Sequence, residues 1–148
     1  MRHPAKLNKI KSCRLRITKV MKNGKEREVW GCKCEICGKV GAMSDYQVDH
    51  IIPAGSLNGA EDIPSFVKNL LYVTEEDLRI LCKDCHGVIT LAEKQELSFE
   101  EAKCTKEAIR LGKLKQDTKW LKARGIVPGS NAKKRREQII EQLRKEYE

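Results

Sequence analysis

Apolar positions along this chain change period several times, and the changes mark out its elements. Leu15 and Ile17 alternate with basic residues, and after Lys22-Asn23-Gly24-Lys25 a second extended stretch, Glu26 to Trp30, follows. Period-two alternation on both sides of Asn-Gly predicts a β-hairpin, because the two turn positions favour positive φ. Tyr46 to Ile52 is rich in β-branched and aromatic residues and is stopped by Pro53 and the Gly55 to Gly59 turn region, which predicts a strand. A short helix is expected over residues 63–72, with Pro64 near its start. A second short strand is expected from Leu78 to Leu81, and a helix from Asp84 to Glu96 despite Gly87.

Beyond residue 96 the period is helical. Ser98 and Glu101 have the spacing of a capping box, so a helix is expected to begin there and run to about Leu111, where Gly112 interrupts it. A basic helix from Lys113 to Arg124 should end at Gly125 as its C′ residue. A last helix, capped by Ser130 or Asn131, places Ile139, Ile140, Leu143 and Tyr147 on one face. The Pro128-Gly129 turn between these two helices fits either a helical hairpin packed on itself or a helix-turn-helix-like DNA element. Residues 1–12, Lys-rich and without periodicity, are expected to form a flexible basic arm.

Composition limits what this pattern can build. With aromatics at 5% and hydrophobics at 40% of 148 residues, the core is modest and a metal would be a useful fastening. No apolar run approaches 18 residues and no hydrophobic segment follows Met1-Arg2-His3-Pro4, so neither a signal peptide nor a membrane span is expected, and the protein should be soluble and cytoplasmic.

The net charge of +9 is unevenly spread. Residues 1–33 hold eleven Lys and Arg against two acids, residues 34–91 four against nine, and residues 92–148 fifteen against ten. Basic flanks around an acidic centre suit a polyanion held at both ends with cations bound between. Simple solubility accounts for the same pattern, so charge alone decides nothing.

The chemistry gathers between residues 34 and 86. Seven cysteines stand at 13, 32, 34, 37, 82, 85 and 104, an odd number, and four of them form the knuckles Cys34-Glu35-Ile36-Cys37 and Cys82-Lys83-Asp84-Cys85. Paired two-residue spacers in a reducing compartment point to a structural zinc held by Cys34, Cys37, Cys82 and Cys85, with Cys32 a competing ligand. Four thiolates leave no open position on the ion, so any chemistry must come from other residues. Asp49, His50 and His86 are the candidates. A carboxylate and an imidazole make a two-ligand site for Mg²⁺, Mn²⁺ or another divalent ion that also grips phosphate oxygens. A neutral His50 is able to take a proton from water.

Asp49-His50-Ile51-Ile52-Pro53 followed by Leu78-Arg79-Ile80-Leu81-Cys82-Lys83-Asp84-Cys85-His86 resembles the HNH endonuclease family in its zinc-bound form. Gly55-Ser56-Leu57 and the Asp62 to Val67 segment are similar to the variant common in bacteriophage genomes. The resemblance covers residues 30–92 and implies an α+β protein with a small ββα-metal core clamped by the four-cysteine zinc site. Around that core stand the N-terminal hairpin and a C-terminal helical extension, giving an arm at 1–12, a nuclease core at 13–96 and a basic helical extension at 97–148 with DNA binding as one reading of it.

The implied activity is metal-dependent hydrolysis of DNA phosphodiester bonds, by nicking or double-strand cleavage. His50 is the implied general base, and Asp49 and His86 the implied ligands of the catalytic cation. Asp77 stands where the family has Asn, either holding the loop that orients His50 or reaching the cation, with Asn69 an alternative. Ile89 stands where the family often has a phosphate-contacting Lys. Double-stranded DNA is the implied partner, and the setting a bacterial host cytoplasm if the gene is phage-borne. The rival reading is a non-catalytic zinc-ribbon DNA-binding or regulatory protein with a decayed active site, and a third is an RNA-directed or toxin-like nuclease.

Overall fold

The computed structural model describes residues 3–147. The protein is α+β, about 52% helix and 19% strand. It divides into two compact units, one up to His86 and one from Gly87. No helix among the described residues is long and apolar enough to cross a membrane.

In the first unit, β1 (Leu15–Val20), β2 (Glu26–Lys33) and β3 (Val40–Ala42) form an antiparallel sheet in that order. The β1–β2 hairpin is the expected one, but its turn is not of the two-residue kind. Met21 N–H donates to Lys25 O and Gly24 N–H to Met21 O, which leaves a three-residue loop with only Gly24 at positive φ (+77°). Asn23 instead accepts Lys25 N–H through Oδ1. One left-handed residue closing a type I-like turn is the common three-residue solution.

A second, two-stranded sheet pairs β4 (Tyr46–His50) with β5 (Leu78–Cys82) in antiparallel register, Val48 opposite Ile80 and His50 opposite Leu78. β4 ends two residues earlier than expected. Ile51 and Ile52 lie outside the ladder at 48% and 68% exposure, although Ile51 N–H still donates to Asp77 O. Leu78, Ile80 and Leu81 are fully buried and centre the unit. α2 (Ile63–Leu71) has Pro64 near its start as expected, and α3 (Lys83–Gln95) leaves the end of β5 directly.

The N-terminal arm is a correction. Pro4–Cys13 is a helix, α1, laid on β5 and β4. Pro4 occupies its first turn and His3 caps it, Nδ1 accepting Ala5 N–H at 3.2 Å. Its apolar stripe is too thin to read as a period: Ala5 alone is buried, with Lys6, Lys9 and Ile10 half-buried beside it. Lys9 is 15% exposed and pairs with Glu35 at 3.2 Å.

The second unit packs α4 (Phe99–Lys113), α5 (Asp117–Lys122) and α6 (Ala132–Tyr147) around Cys104, Ala108, Leu111, Leu121, Ile139 and Leu143. The Ser98–Glu101 capping box forms in both directions. Gly112 does not interrupt α4. The helix ends at Lys113, one residue on, and Lys115 follows at φ +54°, Gln116 N–H donating to Leu111 O and Lys115 N–H to Gly112 O. This is a Schellman ending whose left-handed residue is Lys, so the sequence carries no glycine to announce it. The expected helix over 113–124 therefore shortens to α5, which closes on Gly125 (φ +72°) as predicted.

The connection from α5 to α6 is strapped from α6. Gln138 donates to Val127 O and accepts Gly129 N–H, while Arg135 donates to Gly129 O and, at 2.7 Å, to the buried Asp117. The Arg135 guanidinium holds the Asp117 carboxyl below the usual carboxylate range. A depressed folded pKa means stability present above the unfolded value, near 3.9, and lost as pH falls through the folded one. The melting temperature should therefore drop below about pH 4, and Asp117→Asn, which keeps the size but not the charge, should remove that part of the acid sensitivity. The substitution itself should cost about 1–3 kcal/mol, read by thermal melts at neutral pH.

Candidate metal centre and neighbouring polar cluster

The four predicted cysteines come together. The Sγ atoms of Cys34, Cys37, Cys82 and Cys85 all lie within 4.8 Å of one another, with Cys37 and Cys82 at 3.8 Å. A tetrahedral zinc with bonds near 2.3 Å requires sulfur separations of about 3.8 Å, so the donor set fits that ion in number, type and spacing.

Local backbone geometry makes each knuckle. After β2 the chain turns so that Cys34 N–H donates to Lys39 O and Gly38 N–H returns to Cys34 O, with Gly38 at φ +71°. The second knuckle is the junction of β5 and α3, where Cys85 N–H points at Cys82 Sγ at 3.5 Å. Glu35 joins the two: its N–H donates to Ile80 O, and its Oε1 accepts Ile80 N–H at 2.8 Å.

Burial pushes the Cys82 and Cys85 thiols up, Cys85 further because it faces the other sulfurs. Burial also acts on Cys34, but the amides of Cys37, Cys82 and Ile36 outweigh it and bring this thiol down to about 6. Backbone N–H groups aimed at sulfur are what a thiolate cluster requires. Cys32 is fully buried but outside the cluster, held in the β2–β3 ladder opposite Gly41, and burial raises its thiol to about 11.

Asp49, His50 and His86 are placed on two sides of the β4–β5 pair. Asp49 faces His86, Oδ1 lying 3.8 Å from Nε2, so strand β4 and the first turn of α3 bring a carboxylate and an imidazole together. Its other oxygen is already engaged. Arg79, directly opposite Asp49 in the register, donates to Oδ2 from Nε at 3.1 Å and from Nη2 at 2.9 Å. Arg79 lies within the motif stretch, yet sequence reasoning gave it no role; only the cross-strand register pairs it with Asp49.

His50 alternates to the opposite face, shared with Tyr46 and Val48 and covered by α1. Its Nε2 is buried without a hydrogen-bond partner among the described residues. Burial lowers its pKa and the nearby Lys6 and His3 lower it further, against the opposing charge of Asp49, which leaves a neutral imidazole at pH 7. Neither His3 nor Lys6 was singled out from the sequence, because the segment reads as an arm.

Asp77 holds a loop. Its Oδ2 accepts Thr74 N–H at 2.8 Å and the Thr74 hydroxyl at 2.9 Å, and its carbonyl takes Ile51 N–H, the residue after His50. Comparison of the chain with known protein-family models, with curated proteins and with solved structures finds no match.

Proposed function

We propose that this chain is a metal-dependent endonuclease of the HNH type that hydrolyses DNA phosphodiester bonds. The observation that carries the reading is the approach of Asp49 Oδ1 to His86 Nε2 at 3.8 Å, across a strand–strand–helix unit whose last junction is built on the four-cysteine cluster. A separation of 3.8 Å lets one divalent ion reach both atoms at about 2.1 Å. Bound there, such a cation would polarise the phosphate and stabilise the leaving oxygen.

The chain's own residues supply the remaining parts. His50, neutral at pH 7, accepts the proton of the attacking water. Asp77 fixes the loop behind it, the part that the resemblance left open between loop and cation. In this role the carboxylate does what the family's Asn would do as an acceptor. The reading also implies a cytoplasmic setting and duplex DNA as partner, in keeping with the net charge of +9.

A second reading rests on specific observations. Arg79 holds one oxygen of Asp49, and His50 Nε2 is buried, which together describe a centre closed to substrate. A non-catalytic zinc-ribbon DNA-binding protein would have such a centre. Supercoiled plasmid incubated with the protein separates the two. Nicked circles in Mg²⁺ or Mn²⁺, absent when the added ion is withheld, are the expected result; intact plasmid in both ions would favour the binding protein.

A further inference from the structure

The outer face of the first hairpin carries an arrangement that neither the zinc cluster nor the Asp49–His86 pair uses. Arg16 stands opposite Trp30 in the β1–β2 register, and Arg14, two residues earlier, projects from the same face. Both guanidinium groups lie over one indole, their carbons 4.0 Å (Arg16) and 4.4 Å (Arg14) from the ring centroid. Trp30 is 41% exposed, and both arginines are exposed, Arg16 on β1, the edge strand of the sheet, and Arg14 just before it.

Two like charges gathered on one ring repel each other, and neither arginine is in an ion pair among the described residues. Glu28 lies two cross-strand pairs further along, opposite Thr18, and forms no ion pair with either arginine among the described residues. The indole quadrupole holds each cation by its flat face. A guanidinium held by its flat face keeps its N–H edges for paired bonds to phosphate oxygens.

We infer that the Arg14–Trp30–Arg16 stack is a docking clamp for the phosphodiester backbone of duplex DNA, with Trp30 as the positioning residue that aligns the two guanidinium groups. The surrounding charge is complementary to this occupant. Residues 13–33 carry seven Lys and Arg against Glu26 and Glu28. The inference rests on DNA being the partner, but not on cleavage.

The test is the anisotropy of a labelled DNA duplex titrated with the full-length, zinc-loaded protein without added Mg²⁺ or Mn²⁺, over a series of salt concentrations. Arg14→Gln with Arg16→Gln should flatten the salt dependence by about 1.8 in the log–log slope, two phosphate contacts at about 0.9 each. Trp30→Leu changes no charge, and should still weaken binding about threefold to tenfold. Arg16→Lys, conservative on an exposed strand, should weaken it too, since it keeps the charge and loses the planar fork. Parent-like binding by both Trp30→Leu and Arg16→Lys would overturn the clamp, as would an equal loss from Lys133→Gln with Lys134→Gln, which would make the effect one of bulk charge. A Trp30→Leu defect confined to an RNA duplex would overturn it as well. Nicking is scored separately, so a protein that binds through the clamp and never cleaves refutes the nuclease reading and leaves this one standing.

Discussion

Cys82→Ser should release the metal and abolish cooperative unfolding of the unit that ends at His86. The reason is the place of Cys82 in the chain as much as its sulfur. It is the last residue of β5, the central buried strand, and it meets Cys37 across 44 intervening residues. Closing a loop of that length is entropically costly, and within this unit the apolar cluster that opposes the cost is small.

A structural zinc contributes on the order of 10–16 kcal/mol in small metal-dependent domains, comparable to the whole stability of an ordinary domain. Removing one of four ligands should therefore leave these residues without a defined transition, while the helical unit, with its own core of Leu111, Leu121, Ile139 and Leu143, keeps its melt. Zinc content by elemental analysis and calorimetric unfolding read both halves of the claim. Cys32→Ser is the control, since that thiol is equally buried but outside the cluster and should keep its zinc. A Cys82→Ser protein with parent zinc and a parent melting curve would refute the structural-metal assignment.

What the sequence made legible, and what it hid, follow from the range of the forces involved. The knuckles are local: a two-residue spacer fixes the geometry of each pair, so the Cys34–Cys37 and Cys82–Cys85 cluster was readable and its exclusion of Cys32 was nearly so. The Ser98 box and the Gly125 ending are local for the same reason. Features set by partners distant in sequence were not readable. Pro4–Cys13 is a helix because β4 and β5 offer it a surface, and its lysine stems disguise the buried stripe. Lys115 ends α4 in a conformation that the chain ordinarily gives to glycine, since the packing of α5 and α6 decides where that helix must stop. At the candidate site the same division holds. Asp49 and His86 were singled out by type and spacing, whereas Arg79 on Asp49 and the burial of His50 Nε2 depend on register and docking. These last two features decide whether the site is open.

That question gives the second large effect. His50→Ala should remove metal-dependent nicking, about 10²–10⁴-fold if the imidazole is the general base, while leaving zinc content and both melting transitions close to the parent. The structural side of this expectation is unusually clean. Nε2 of His50 has no hydrogen-bond partner among the described residues, so its loss breaks no bond at that atom, and the ladder partner Leu78 is held by backbone pairing that alanine preserves. An uncompensated buried nitrogen is itself unfavourable, which offsets part of the cavity left by the ring. Cys82→Ser and His50→Ala therefore separate geometry from chemistry: one should destroy metal binding and folding together, the other should lower only the rate. Asp49→Asn belongs with neither, because it weakens the Arg79 pair and the proposed cation site at once. If His50→Ala nicks plasmid as fast as the parent, the imidazole is not the base. The half-buried, neutral side chain would then be a packing residue of a DNA-binding protein, and the closed centre its functional state.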